Sequence, residues 1–119
     1  VDKTKTILVT EGPIDSLFLP NSIAVSGSDF KKIDDSIKEN AVLIYDNEPR
    51  NREILKKLSE VIDLGYAVCI WKDKRLDGLK DINEMILNGL TIDEVTSIIE
   101  KCTFSGLSAK TKFMEYKKI

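Results

Sequence analysis

The sequence predicts an α/β protein with a central, mainly parallel four-stranded sheet flanked by helices. Three observations carry this. Four short apolar runs are continuous rather than alternating, as in strands covered on both faces. They are interleaved with segments whose apolar residues recur at helical spacing. The chain has 119 residues, of which 42% are hydrophobic and 32% charged. That is an ordinary globular composition, in a chain long enough to bury roughly two thirds of its unfolded surface.

The first strand is Thr6-Ile7-Leu8-Val9-Thr10, ended by Glu11-Gly12-Pro13. Pro13 suits the first position of a helix carrying Ile14, Leu17 and Phe18 up to Pro20. Ser22 to Val25 is the second strand, closed by Ser26-Gly27. Ser28 or Asp29 then caps a helix with Phe30, Ile33 and Ile37 as its stripe. Ala41 to Tyr45 is the third strand, followed at once by Asp46-Asn47-Glu48-Pro49. The longest helix is predicted to start at Pro49, with Ile54, Leu55, Leu58, Val61 and Ile62 inward and Gly65 as its stop. Tyr66 to Trp71 is the fourth strand, and 72–80 a polar loop. Asp81-Ile82-Asn83-Glu84 resembles a capping box for a helix through Leu87, stopped by Gly89. Thr91 to Glu94 opens another, with Ile92, Val95, Ile98 and Ile99 as its apolar face.

The chain contains no histidine, which excludes Ser-His-Asp triads and histidine-ligated metals. Two cysteines, Cys69 and Cys102, are too few for a disulfide scaffold or a four-cysteine zinc site. Apolar runs of about five residues fall far short of the roughly 20 that span a bilayer, and no charged-then-apolar leader is visible. A soluble, cytoplasmic protein with no membrane partner is expected. Val1 opens the chain, so a piece of a longer protein is expected too. Residues 1–100 hold 13 Lys and Arg against 19 Asp and Glu, whereas residues 101–119 hold 5 against 1. The acidic body suits hard cations. The basic end, where Phe104, Phe113 and Tyr116 interleave with lysines, suits single-stranded nucleic acid or a helix packed by its aromatic face.

In open parallel sheets, ligands bind outside the carboxyl ends of the strands. That rule selects Glu11 after the first strand and Asp46 and Glu48 after the third. In an extended segment Asp46 and Glu48 point the same way. Unit charges about 4 Å apart repel by roughly 4 kcal/mol near a protein surface, so clustered carboxylates call for a cation. Oxygen donors alone favour Mg²⁺ or Mn²⁺. Each acid also has a plain structural role open to it. Asp15 and Glu48 can favour a helix dipole, and Asp81 can be an N-cap. Cys69 reads as buried core, Trp71 as core or rim packing, and Ser26-Gly27-Ser28 as a turn.

The runs VTEGPIDSLFL and LIYDNEPRNREI resemble the Toprim domain, the layered Rossmann-like fold shared by primases, topoisomerases and some nucleases. The Toprim pattern has Glu-Gly after the first strand and Asp-x-Asp after the third. Glu11-Gly12 matches, while Asp46-x-Glu48 keeps the charge and adds a methylene. A closer resemblance is to the primases of T-even-type bacteriophages and their relatives. It runs through EGPIDSLFLPN, YDNEPRNREI, GYAVCIW, KDINEMI and TFSGLSAK, from about Ile7 to the end of the chain.

The resemblance implies a DNA primase, a DNA-directed RNA polymerase type of nucleotidyltransferase that makes short RNA primers for replication. Glu11 would be the central acid, a metal ligand or proton acceptor. Asp46 and Glu48 would be metal ligands, with Asp15 and Asp81 as outer acids around Mg²⁺ or Mn²⁺. Arg50, Arg52 and Lys80 flank these acids and would hold phosphates, or simply solvate a helix end and a loop. The implied partners are a single-stranded DNA template, ribonucleoside triphosphates and a hexameric replicative helicase. Residues 1–102 would form the catalytic domain, and 103–119 a basic, aromatic extension packed on or following it. Another Toprim enzyme, nuclease or topoisomerase, and a non-catalytic receiver-like regulatory domain are the alternatives.

Overall fold

The computed structural model describes residues 4–11, 18–24 and 35–118, apart from the side chains of residues 35 and 36. The expected helix after Pro13 with Asp15, the Ser26-Gly27-Ser28 turn, and Phe30 and Ile33 lie outside the described residues.

Five strands form one sheet: β1 (Ile7–Thr10), β2 (Ser22–Ala24), β3 (Ala41–Ile44), β4 (Ala67–Cys69) and β5 (Thr103–Phe104). The order is β2-β1-β3-β4-β5. β1 pairs in parallel with β2 and β3, β3 in parallel with β4, and β5 runs antiparallel at the edge. The mainly parallel α/β architecture is as the sequence predicts, consistent with Toprim-like or Rossmann-like layering. The fifth strand is an addition. Two residues of half-buried Thr-Phe carry no periodic signal, and only their pairing with Val68 and Cys69 makes them a strand.

The helices are α1 (Asp35–Lys38), α2 (Arg52–Asp63), α3 (Ile82–Leu87), α4 (Ile92–Lys101) and α5 (Gly106–Tyr116), among the described residues. Successive strand side chains point to opposite faces, so each continuous apolar run feeds two cores. Ile7, Val9, Leu43, Tyr45, Val68 and Ile70 face α2 residues Ile54, Leu58, Val61 and Ile62, together with Ile37 and Ala109. Leu8, Val42, Ile44, Cys69 and Trp71 face Ile82 and Met85 of α3 and Val95, Ile98 and Ile99 of α4. Ile92, expected on the α4 apolar face, is 45% exposed, because it occupies the first turn and points off the sheet.

Helix ends correct two expectations. α2 starts at Arg52, not Pro49: Asn51 is the cap, and its Oδ1 accepts from the N–H groups of Glu53 and Ile54 at 3.0 and 3.1 Å. Residues 48–50 form a turn instead, closed by Asn51 N–H donating to the Glu48 carbonyl. At α3, Asp81 accepts from Glu84 N–H at 2.8 Å, but the Glu84 carboxylate returns to the N–H of Lys80, one residue earlier than a regular box. The complete box is at α4, between Thr91 and Glu94. The loop 72–80 contains a short 3₁₀ turn, Lys74–Leu76, that buries Leu76.

Candidate acidic turn and basic cleft

Strand order reverses between β1 and β3, since β2 lies on one side of β1 while β3 and β4 lie on the other. At such a switch point the carboxyl ends of the two central strands open a crevice for ligand. The register sets Thr10 beside Ile44. Glu11 follows the first of that pair directly, and Asp46 follows the second after Tyr45. Both expected acids therefore stand at the same rim.

The chain from Tyr45 to Asn51 is pinned at successive points. Trp71 Nε1–H donates to the Tyr45 carbonyl at 2.8 Å from a buried position, which confirms Trp71 as packed rather than exposed for base stacking. Glu48 N–H donates to the Asp46 carbonyl at 3.0 Å, across a bend at Asn47. The expected extended geometry is thus replaced by a tight turn. The reason lies in Asn47. Its N–H donates to the Lys80 carbonyl at 2.5 Å. Its Nδ2 donates to the carbonyls of Leu79 and Leu76 at 3.0 and 3.3 Å. Its Oδ1 accepts from the Tyr116 hydroxyl at 3.1 Å. Lys118 N–H donates to the Pro49 carbonyl at 2.9 Å.

Asp46 and Glu48 are both half-buried on this turn, and Asn51 Nδ2 approaches Glu48 Oε2 at 3.5 Å. Asp81 caps α3 next to Lys80, so the bond from Asn47 to Lys80 brings it to the same rim in a structural role. Among the described residues, no group of three His, Cys, Asp or Glu side chains is placed to hold a metal ion. Glu11, Asp46 and Glu48 are all described, so the expected three-carboxylate ligand set is not gathered here, although oxygen donors are the type that hard cations take.

Beside the turn lies a cleft of about 1370 Å³, bounded by residues 47–51, the loop after β4, and α5 with its flanks. Seven of its lining side chains are Lys or Arg and four are Asp or Glu, in a chain of net charge −2. Arg50 and Lys80, both selected from the sequence, line it. Arg52 is exposed on the first turn of α2 and does not. Lys72, Lys74, Lys101, Lys112 and Lys118 complete the basic lining. The carboxyl-end rule, applied to β4 as well as β1 and β3, points to Lys72 and Lys74. Lys101, Lys112 and Lys118 belong to the basic end that the sequence singled out, and the fold turns them into this cleft. Lys72 and Lys112 approach Glu115 at 3.7 and 3.9 Å as exposed pairs, of small energetic weight.

Burial shifts both cysteine thiols, Cys69 and Cys102, and the half-buried Tyr116 phenol. Burial pushes the Cys69 thiol up, helped by Cys102, as befits an inert core cysteine. Burial also pushes the Tyr116 phenol up, against a lowering backbone N–H of Glu48. Among the described residues, no helix is long and apolar enough to cross a membrane.

The layered fold, with acids following the strands at its switch point, defines the class: an α/β domain of Rossmann-like layering. No established family profile matches the chain. It is similar to DNA primase of Enterobacteria phage T4, with 36% identity over 118 residues. The match covers 98% of this chain and 34% of that protein, so the chain spans about a third of the relative's length.

Proposed function

We propose that this chain is the metal-dependent nucleotidyl-transfer part of a DNA primase, of Toprim type, with residues 1–102 as its catalytic portion and 103–119 as one wall of its cleft. The observation that carries the reading is the strand order, which reverses between β1 and β3 where Glu11, Asp46 and Glu48 follow the strands. The similarity to a phage DNA primase over nearly the whole chain supports it.

In this reading Glu11, Asp46 and Glu48 hold Mg²⁺ or Mn²⁺, with Asp15 and Asp81 as outer acids. When bound, the ion supplies charge stabilisation at a phosphoryl oxygen and activation of an attacking hydroxyl. The chain's own residues do the rest. Arg50 offers a forked donor set and Lys80 a point charge for triphosphate oxygens. The pinned turn holds the acids in place before substrate arrives, and positioning carries much of phosphoryl-transfer catalysis. The basic cleft fits a polyanion such as single-stranded template. Contact with a hexameric helicase rests on the sequence resemblance alone. The receiver-like alternative needs paired acids after β1, where this chain has Glu11-Gly12.

The test is a Mn²⁺ titration followed by NMR. Paramagnetic broadening should centre on the amides of Glu11, Asp46 and Glu48. Binding should be weak without nucleotide, because such ions keep several waters. Broadening centred elsewhere, with these strand ends untouched, would overturn the site.

A further inference from the structure

α5 ends in a residue that reaches back to the acidic turn. Tyr116 lies 69 positions from Asn47 in sequence, yet its hydroxyl donates to Asn47 Oδ1 at 3.1 Å. Asn47 is the middle residue of Asp46-Asn47-Glu48. Its two Nδ2 hydrogens face the Leu76 and Leu79 carbonyls, so its Oδ1 has to face the tyrosine. The Tyr116 ring packs against both cores of the sheet, so its oxygen is presented from a fixed base.

We propose that Tyr116 is a positioning residue: its hydroxyl, bonded to Asn47, holds the turn that presents Asp46 and Glu48 at the mouth of the cleft. Its consequence for metal binding rests on the reading of those acids as ligands. The geometric claim does not. The Trp71 bond to the Tyr45 carbonyl and the Lys118 bond to the Pro49 carbonyl fix the two ends of this segment. At its middle residue, Asn47, the 76–80 loop holds one side, and the Tyr116 hydroxyl adds the anchor from α5.

The experiment compares the native chain with Tyr116→Phe, which keeps the ring and removes only the hydroxyl. Amide hydrogen exchange is read at Asn47 and Glu48, with Leu43 in β3 and Leu58 in α2 as internal references. The expected result is faster exchange at Asn47 and Glu48 by about tenfold, the worth of one hydrogen bond, with the references unchanged. Mn²⁺ broadening at Asp46 and Glu48 should then need several-fold more metal. Unchanged exchange at Asn47 and Glu48 overturns the proposal. So does acceleration shared equally by the references, or failure of Tyr116→Phe to fold, since either makes the hydroxyl a general structural support. If the native chain shows no broadening at these acids, the metal reading fails, and the exchange comparison still decides the role of Tyr116.

Discussion

Asp73 shows how far a single side chain of the cleft is committed to structure. Its carboxylate caps the 3₁₀ turn by accepting from Arg75 N–H, and it forms a two-pronged pair with the Arg75 guanidinium at 2.9 and 3.0 Å. Those bonds from Arg75, the side-chain one foremost, hold its pKa down from 3.8 to about 2. A depressed acid stabilises the fold above its unfolded value and loses that contribution as pH falls through its folded value. Stability of the native chain should therefore decline between pH 3.8 and about 2 partly through Asp73. Asp73→Asn should lower stability at neutral pH and flatten that part of the acid limb, as measured by urea unfolding at stepped pH. An acid limb identical in the two proteins would contradict this. Arg75 also reaches Glu94 at 3.3 Å, so the pair ties the loop after β4 to the start of α4 and is engaged away from any phosphate.

Among the elements, α2 is the clearest case of a local rule competing with another. Proline at the first helical position is a sound signal, and it led to a start at Pro49. The stronger signal is Asn51, whose side chain satisfies two of the N–H groups a helix start leaves open. The three residues released from the helix become part of the acidic turn, where the Pro49 carbonyl accepts from Lys118. Asn51→Ala should cost about 1 kcal/mol, seen as a lower melting temperature. It should also loosen Glu48, whose carboxylate Asn51 Nδ2 approaches. Gly65 did stop α2 as predicted, with φ at +91°, a conformation that other residues resist.

At the scale of the whole molecule, charge separation becomes geometry. The basic residues after position 100 do not trail away from an acidic body. β5 pairs with β4, Ala109 of α5 is fully buried, and Lys101, Lys112 and Lys118 turn into the cleft. We expect the chain to bind single-stranded DNA weakly and with strong salt dependence. If about three phosphates are neutralised, affinity should fall roughly 20-fold between 50 and 200 mM salt, measurable by fluorescence anisotropy. The chain by itself should not make primers on a single-stranded template with Mg²⁺ or Mn²⁺, because it spans about a third of its primase relative. Robust templated synthesis by the isolated chain would show that these residues suffice to hold the template.

Some of this protein is written in local sequence, because the responsible interactions are local. Continuous β-branched runs specify doubly covered strands, helical spacing specifies the faces of α2 and α4, and the acids stand where strands end. Asp81 and Thr91 announce their caps within three residues. What only the tertiary structure decides spans long separations: the pairing that makes Thr103–Phe104 a strand, and the cleft assembled from residues as far apart as Asn47 and Lys118. The bond from Tyr116 to the centre of the acidic turn belongs there too. Asn47 lies between two conspicuous carboxylates and looks like a spacer, yet it joins three segments of the fold. Its role could not be read from its neighbours, because both partner segments, the 76–80 loop and α5, are more than 25 residues away in the chain.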